Sequence, residues 1–238
     1  MEEKSLNNWN DFQIELETLE KRRSELNNGF AGHVSELLFR GQADSNWTLQ
    51  TSLERASGKK EFGLSDYYGI ISAVKPEIES FTGRTWDIPD PPDYVSQTAQ
   101  ARPQIPPSEV YEYMVHLRHH GFPSPLLDWT TSPYIAAYFA FANGHANNDS
   151  VAIYAYLEYA GQAKSGWASQ PRIDTMGPYV KTHTRHFLQR CQYTICTRPV
   201  NDHRTYTPHE SAFQRGETEQ DLLWKFTIPR SERKTVLR

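Results

Sequence analysis

Trp9, Phe12, Leu16, Leu19 and Leu26 recur at roughly helical spacing, which predicts an amphipathic helix over 8–28 that stops at Asn27-Asn28-Gly29. Glu36 to Arg40 reads as a short buried strand, closed by Gly41 and a polar turn from Ala43 to Asn46. Trp47 to Leu53 alternates weakly and predicts a second extended segment. Tyr67 to Phe81 carries apolar residues at mixed spacing, so a helix is expected there, kinked or split by Pro76.

The clearest break is 84–107, where Pro89, Pro91, Pro92, Pro103, Pro106 and Pro107 can donate no backbone hydrogen bond. It is expected to be a surface loop inserted in the domain. Ser108 and Glu109 then open a helix through His119, followed by a Gly/Pro turn and the apolar pair Leu126-Leu127. Pro133 suits the first turn of the next helix, Tyr134 to Ala142, with Thr131 or Ser132 as its cap. Because that helix is apolar nearly all round, deep burial is expected. Strands are predicted at Ser150–Tyr159, Tyr193–Cys196 and Leu222–Ile228, the last closed by Pro229. Strands and helices interleave without a regular βαβ beat, so the expected fold is a single α+β domain. It would hold a compact mixed or split sheet, an N-terminal amphipathic helix and a buried central helix. Residues 1–35 would be a helical extension and 36–238 the domain proper.

Composition narrows the function classes. At 238 residues the chain can bury a sizeable core, to which 13 Tyr, 11 Phe and 6 Trp contribute large apolar areas. A net charge of -4 argues against nucleic acid as a partner, since phosphate binding needs a clustered surplus of Lys and Arg. No apolar run is long enough for a membrane span, and Met1-Glu2-Glu3-Lys4 does not open a signal peptide. Cys191 and Cys196 are too few for a disulfide framework or a cysteine zinc site, and the expected location is the cytoplasm.

The chemistry-bearing residues cluster at two places. Arg40 ends a buried strand beside Gly41, where a guanidinium could bind phosphate or carboxylate in a fork, or simply pair with an internal acid such as Asp128. Asp128 could accept from amides of the following turn, and Trp129 is a core residue or a stacking platform. Thr130, Thr131 and Ser132 lead into an apolar helix, where they either cap it or meet an anionic or polyhydroxyl ligand. His119 and His120 are adjacent on a helix and point apart, so they cannot share one metal, and no metal site is expected.

These segments resemble the FRG domain family, whose Phe-Arg-Gly motif stands here as Phe39-Arg40-Gly41. The likeness continues through Gln42, Trp47, Leu49, Leu53 and Arg55. It includes His119-His120-Gly121-Phe122-Pro123 and Leu126-Leu127-Asp128-Trp129-Thr130, then the helix ending Phe139-Ala140. It resumes at Arg185 to Gln189, Tyr193 to Cys196 and Lys225 to Pro229. Arg118, His120, Ser124 and Pro125 stand where family members often carry Gln, Tyr, Thr and Arg, and 197–221 has no clear counterpart. Relatives commonly continue beyond the Ile-Pro segment, which implies a trimmed domain.

A weaker likeness is to the three-motif layout of ADP-ribosyltransferases. It implies NAD as substrate and a protein as a possible acceptor. Arg40, flanked by Gly41 and Gln42, would anchor phosphate, and Thr130, Thr131 and Ser132 would hold ribose. Gln189 would be the late polar residue that orients the sugar, with Glu210, Glu217 and Glu219 as rivals. Trp129 or Tyr134 would stack on nicotinamide, and Asp128 or His119 would shape the pocket. The alternative is a non-catalytic module that senses a nucleotide, or a protein through 84–107. A third reading is a hydrolase using Asp128 with His119 as base.

Overall fold

The structure is a computed structural model and describes residues 1–29, 34–98, 105–142, 148–158, 170–178, 180, 184–201, 203–213 and 221–238. The first half holds β1 (Glu2–Ser5), α1 (Trp9–Gly29), β2 (Leu38–Gln42), α2 (Ser52–Ser57), β3 (Phe62–Gly63), α3 (Leu64–Thr82), α4 (Pro91–Thr98) and α5 (Ser108–His119). The second holds β4 (Leu127–Thr130), α6 (Pro133–Ala142), β5 (Ser150–Leu157), β6 (Arg172–Met176), α7 (Thr184–Leu188), β7 (Cys191–Val200), β8 (His203–Tyr206), β9 (Leu222–Pro229) and α8 (Arg233–Val236). Among the described residues the strands form one mixed sheet of order β1-β9-β5-β2-β4-β7-β8-β3, with β6 also on β7. β1 runs parallel to β9 and β5 antiparallel to both β2 and β9. The fold is α+β, in a single domain.

β5 shows why the sheet is central. Val151, Ile153, Ala155 and Leu157 pack with α1, α6 and β9, while Ala152, Tyr154 and Tyr156 pack on the opposite face with Trp129 and Leu223. Both faces are therefore dry, and the run from Val151 to Leu157 is buried throughout. α1 is part of this core: Phe12 is fully buried and meets Phe226 edge-on at 5.6 Å. A third apolar cluster joins α3, α4 and α5 to β7 and β8.

Several local expectations are corrected. Trp47 to Leu53 is no strand, because Thr51 and Glu54 form a reciprocal capping box that starts α2. α3 is assigned as one helix through Pro76, without a split. The proline-rich stretch contains α4, with Pro91 in its first turn, where a missing N–H costs nothing. Tyr94 fixes α4 by stacking on Tyr68 at 3.8 Å. α6 is half-buried: Ala136, Ala137, Ala140 and Phe141 face the sheet, whereas Tyr134, Tyr138 and Phe139 are exposed. The Ser150 strand ends at Leu157, and Tyr159 lies outside the described residues.

Beneath the sheet Trp129 Nε1 donates to Thr194 Oγ1 at 2.8 Å, and Thr194 Oγ1 lies 2.9 Å from His209 Nε2. Burial lowers His209 to about 3, so it is neutral in the fold but protonated in the unfolded chain below the ordinary value of 6.5. The folded state then binds fewer protons, so stability is full above pH 6.5 and lost as pH falls toward 3. Melting temperature should fall from pH 6.5 to 4, with His209 contributing at most about 1.4 kcal/mol per pH unit. Thermal melts of His209→Gln should show a shallower slope in that window; an unchanged slope would refute the assignment.

Candidate functional site

The register of β2 and β4 creates the site. The two strands pair at Phe39 and Thr130 alone, and one residue further the ladder has ended. Into that gap Arg40 extends its guanidinium, which donates to the Asp128 backbone carbonyl at 2.6 Å and lies 3.8 Å from its carboxylate. The sheet is thus split locally, and a cleft of about 990 Å³ opens at the split. That volume is at the upper end of ordinary small-ligand sites.

Arg118 on α5 is the main partner of Asp128. Its Nε donates to Oδ1 at 3.1 Å and its NH2 to Oδ2, a two-pronged pairing. Its third arm donates to Ser52 Oγ, which also accepts from the Ser124 amide at 3.0 Å. Burial alone would raise Asp128, but Arg118 and then Arg40 outweigh it and hold the carboxyl below its usual range. Burial lowers Arg40, with Asp128 opposing, yet a guanidinium stays charged at any physiological pH. Arg55, from α2, reaches the same cleft and donates to Gln50 O at 2.6 Å. Among the described residues of the lining, three guanidinium groups therefore face one carboxylate. The surplus of positive charge suits an anion, and phosphate or a carboxylate could take the unused N–H groups.

Eight of the twelve residues singled out in the sequence come together here: Arg40, Gly41, Gln42, His119, Asp128, Trp129, Thr130 and Gln189. Thr130 Oγ1 donates to Gln189 O at 2.7 Å and accepts from the Ser132 amide at 3.1 Å, so one lone pair is left for a ligand hydroxyl. Gln42 Nε2 holds Thr48 O at 3.0 Å, which fastens the loop after β2. His119 Nε2 lies 3.0 Å from the Tyr193 hydroxyl, and burial keeps that hydroxyl well above the usual tyrosine range, hence neutral. Cys191 also lines the cleft, but burial raises its thiol to about 11, which rules it out as a ready nucleophile.

Four residues fall elsewhere. Ser132 caps α6, its Oγ accepting from Ile135 N at 3.4 Å, and Thr131 N donates to Arg190 O at 3.2 Å. Tyr134 points outward against Trp9, with its ring centroid 6.4 Å away. Glu210 is occupied structurally, its Oε1 accepting from Leu49 N at 3.0 Å. Glu217 and Glu219 lie outside the described residues. Trp129 is no stacking platform either, since it is buried with its indole N–H engaged. Asp128, for its part, caps nothing; it is the counter-ion of two arginines. Pro125 is buried and outside the lining, while Arg118 supplies the charge partner of Asp128.

Sequence reasoning gave no role to Arg55, Arg118, Trp47, Phe139 or Tyr193, all of which line the cleft. Arg118 precedes Asp128 with no periodic spacing to mark the pair, so only the return of α5 against the sheet reveals it. Among the described residues no cluster of His, Cys, Asp or Glu could hold a metal ion, and no helix is long and apolar enough to cross a membrane.

In a comparison with protein families, residues 35–149 match the FRG domain, a span that contains β2, α5, β4 and α6. Neither a curated protein nor a solved structure matches the chain.

Proposed function

Because this chain carries an FRG domain, with the Phe-Arg-Gly strand forming one wall of the cleft, we propose that the domain binds a nucleotide there, NAD or a related one. The observation that carries this reading is the joint presence of Arg40 and Thr130, ninety positions apart, beside a surplus of guanidinium charge. Arg55 and the free N–H groups of Arg40 would meet phosphate oxygens. The spare lone pair of Thr130 would accept from a ribose hydroxyl, and Gln189, whose main-chain carbonyl holds Thr130 Oγ1, lines the same cleft.

Cleavage or transfer of the ADP-ribosyl group asks for more. As nicotinamide leaves, positive charge develops on the ribose, and a carboxylate must face it. Among the described lining residues the carboxylate is Asp128, already committed to two arginines, and Gln189 is a neutral amide. Binding is therefore the better-supported reading, and a nucleotide-responsive module is favoured over a transferase.

One experiment separates the readings. Thermal melts with NAD, ADP-ribose or ADP should raise the melting temperature, and Arg55→Ala should weaken that binding about tenfold, in line with the loss of one charge-assisted hydrogen bond. Arg55 is half-buried at most and its loss should leave the unliganded melt almost unchanged. Nicotinamide release measured in the same samples should be absent. Release abolished by Arg40→Lys would instead establish cleavage of the ADP-ribosyl bond, and no shift with any of the three ligands would sink both.

A further inference from the structure

Two rings in the cleft stand apart from the others. Phe39, Trp129 and Tyr193 line it but are sealed, at 2%, 4% and 1% exposure. Trp47 and Phe139 line it with 52% and 46% of their surface open to water. We propose that these two rings are the base-stacking wall of the site, so that its ligand is an aromatic nucleotide and not a bare diphosphate or a sugar phosphate. The inference rests on the nucleotide reading above and specifies which part of the ligand is read and by what.

Both rings are presented by fixed backbone. Trp47 N donates to Asp44 O at 3.2 Å, and Trp47 O accepts from the buried Tyr154 hydroxyl at 3.0 Å. Asp44 in turn accepts from Asn46 N and from Asn148 Nδ2, each at 2.8 Å. The turn after β2 is thereby tied to both β5 and the chain before it. Phe139 sits on α6 one turn beyond Ala136, and these two residues bring that helix face into the lining. The backbone that carries both rings is therefore ordered before a ligand arrives, which lowers the ordering cost of using them. A single exposed aromatic side chain is ordinary. Two that arrive from separate elements at the rim of a cationic cleft match what a nucleotide presents: charge at one end and a flat apolar ring at the other.

Titration calorimetry with ADP and with inorganic pyrophosphate tests the wall. The wild-type protein should bind ADP more tightly than pyrophosphate by roughly 5- to 150-fold, the range of one base–aromatic stack. Trp47→Ala should lose most of that preference, leave pyrophosphate binding unchanged, and melt like the wild type; Trp47→Phe should recover part of it. Phe139→Ala supplies an independent variant with the same expected sign. Equal wild-type affinity for the two ligands, or variants that weaken both alike, would overturn the stacking wall while leaving an anion site standing. If neither ligand binds, the nucleotide reading falls, and the wall with it.

Discussion

Gly41→Ala is expected to unfold the domain or leave it insoluble. A Cβ at this position would lie 1.8 Å from the carbonyl oxygen of Ala136 and 2.7 Å from the amide nitrogen of Ala140. Both are backbone atoms of α6, so no side chain can swing aside. The cause is space, not backbone conformation: β2 and α6 touch main chain to main chain, and Gly41 and Ala136 allow it. Relief would need α6 to lift away from β2, which would open the core around Ala137, Ala140 and Phe141. Overpacking of an adjustable core costs about 1–3 kcal/mol; a rigid backbone contact should exceed that, roughly 4 kcal/mol or more. Urea denaturation, or the soluble yield if the variant cannot be purified, gives the answer. A variant within about 0.5 kcal/mol of wild type, the range of an ordinary surface substitution, would contradict a rigid main-chain contact between β2 and α6.

Asp128→Asn is the second. It removes the one carboxylate among the described residues of the lining and leaves Arg40 and Arg118 facing each other. Breaking a fully buried pair costs about 3–5 kcal/mol. Asp128 is 37% exposed at its side chain, so water screens part of the loss and about 2 kcal/mol is expected. The same change adds to the positive surplus. Pyrophosphate should therefore restore stability to the variant and raise its melting temperature more than it raises that of the wild type. A destabilised variant indifferent to pyrophosphate would mean that the freed guanidinium groups turn away from the cleft.

The path from sequence to site was uneven, for physical reasons. The buried strand before Gly41, the α5 helix and the β5 alternation announce themselves because their apolar residues repeat with the period of one element. The junction after Leu127 was recognisable as a polar cluster at a helix start, and it does reach the cleft. What its residues do there was not readable. Of the three hydroxyls Thr130, the last residue of β4, lines the hollow, while Thr131 and Ser132 lie past the strand end and outside the lining, Ser132 capping α6. Arg118 and Asp128 are joined by the return of α5 against the sheet, and Glu210 is spent on an amide far back at Leu49. Such pairings depend on tertiary approach and leave no spacing signal. Thr51-x-x-Glu54 did leave one, a capping box that outweighs the weak alternation of Trp47 to Leu53.

The split between β2 and β4 creates the site, and the position of a bound ligand tests it most directly. Crystals soaked with NAD should show its phosphates beside Arg55 and the outer N–H groups of Arg40, and a ribose hydroxyl within reach of Thr130 Oγ1. Density for the dinucleotide at another surface, with this cleft holding only water at saturating NAD, would contradict it.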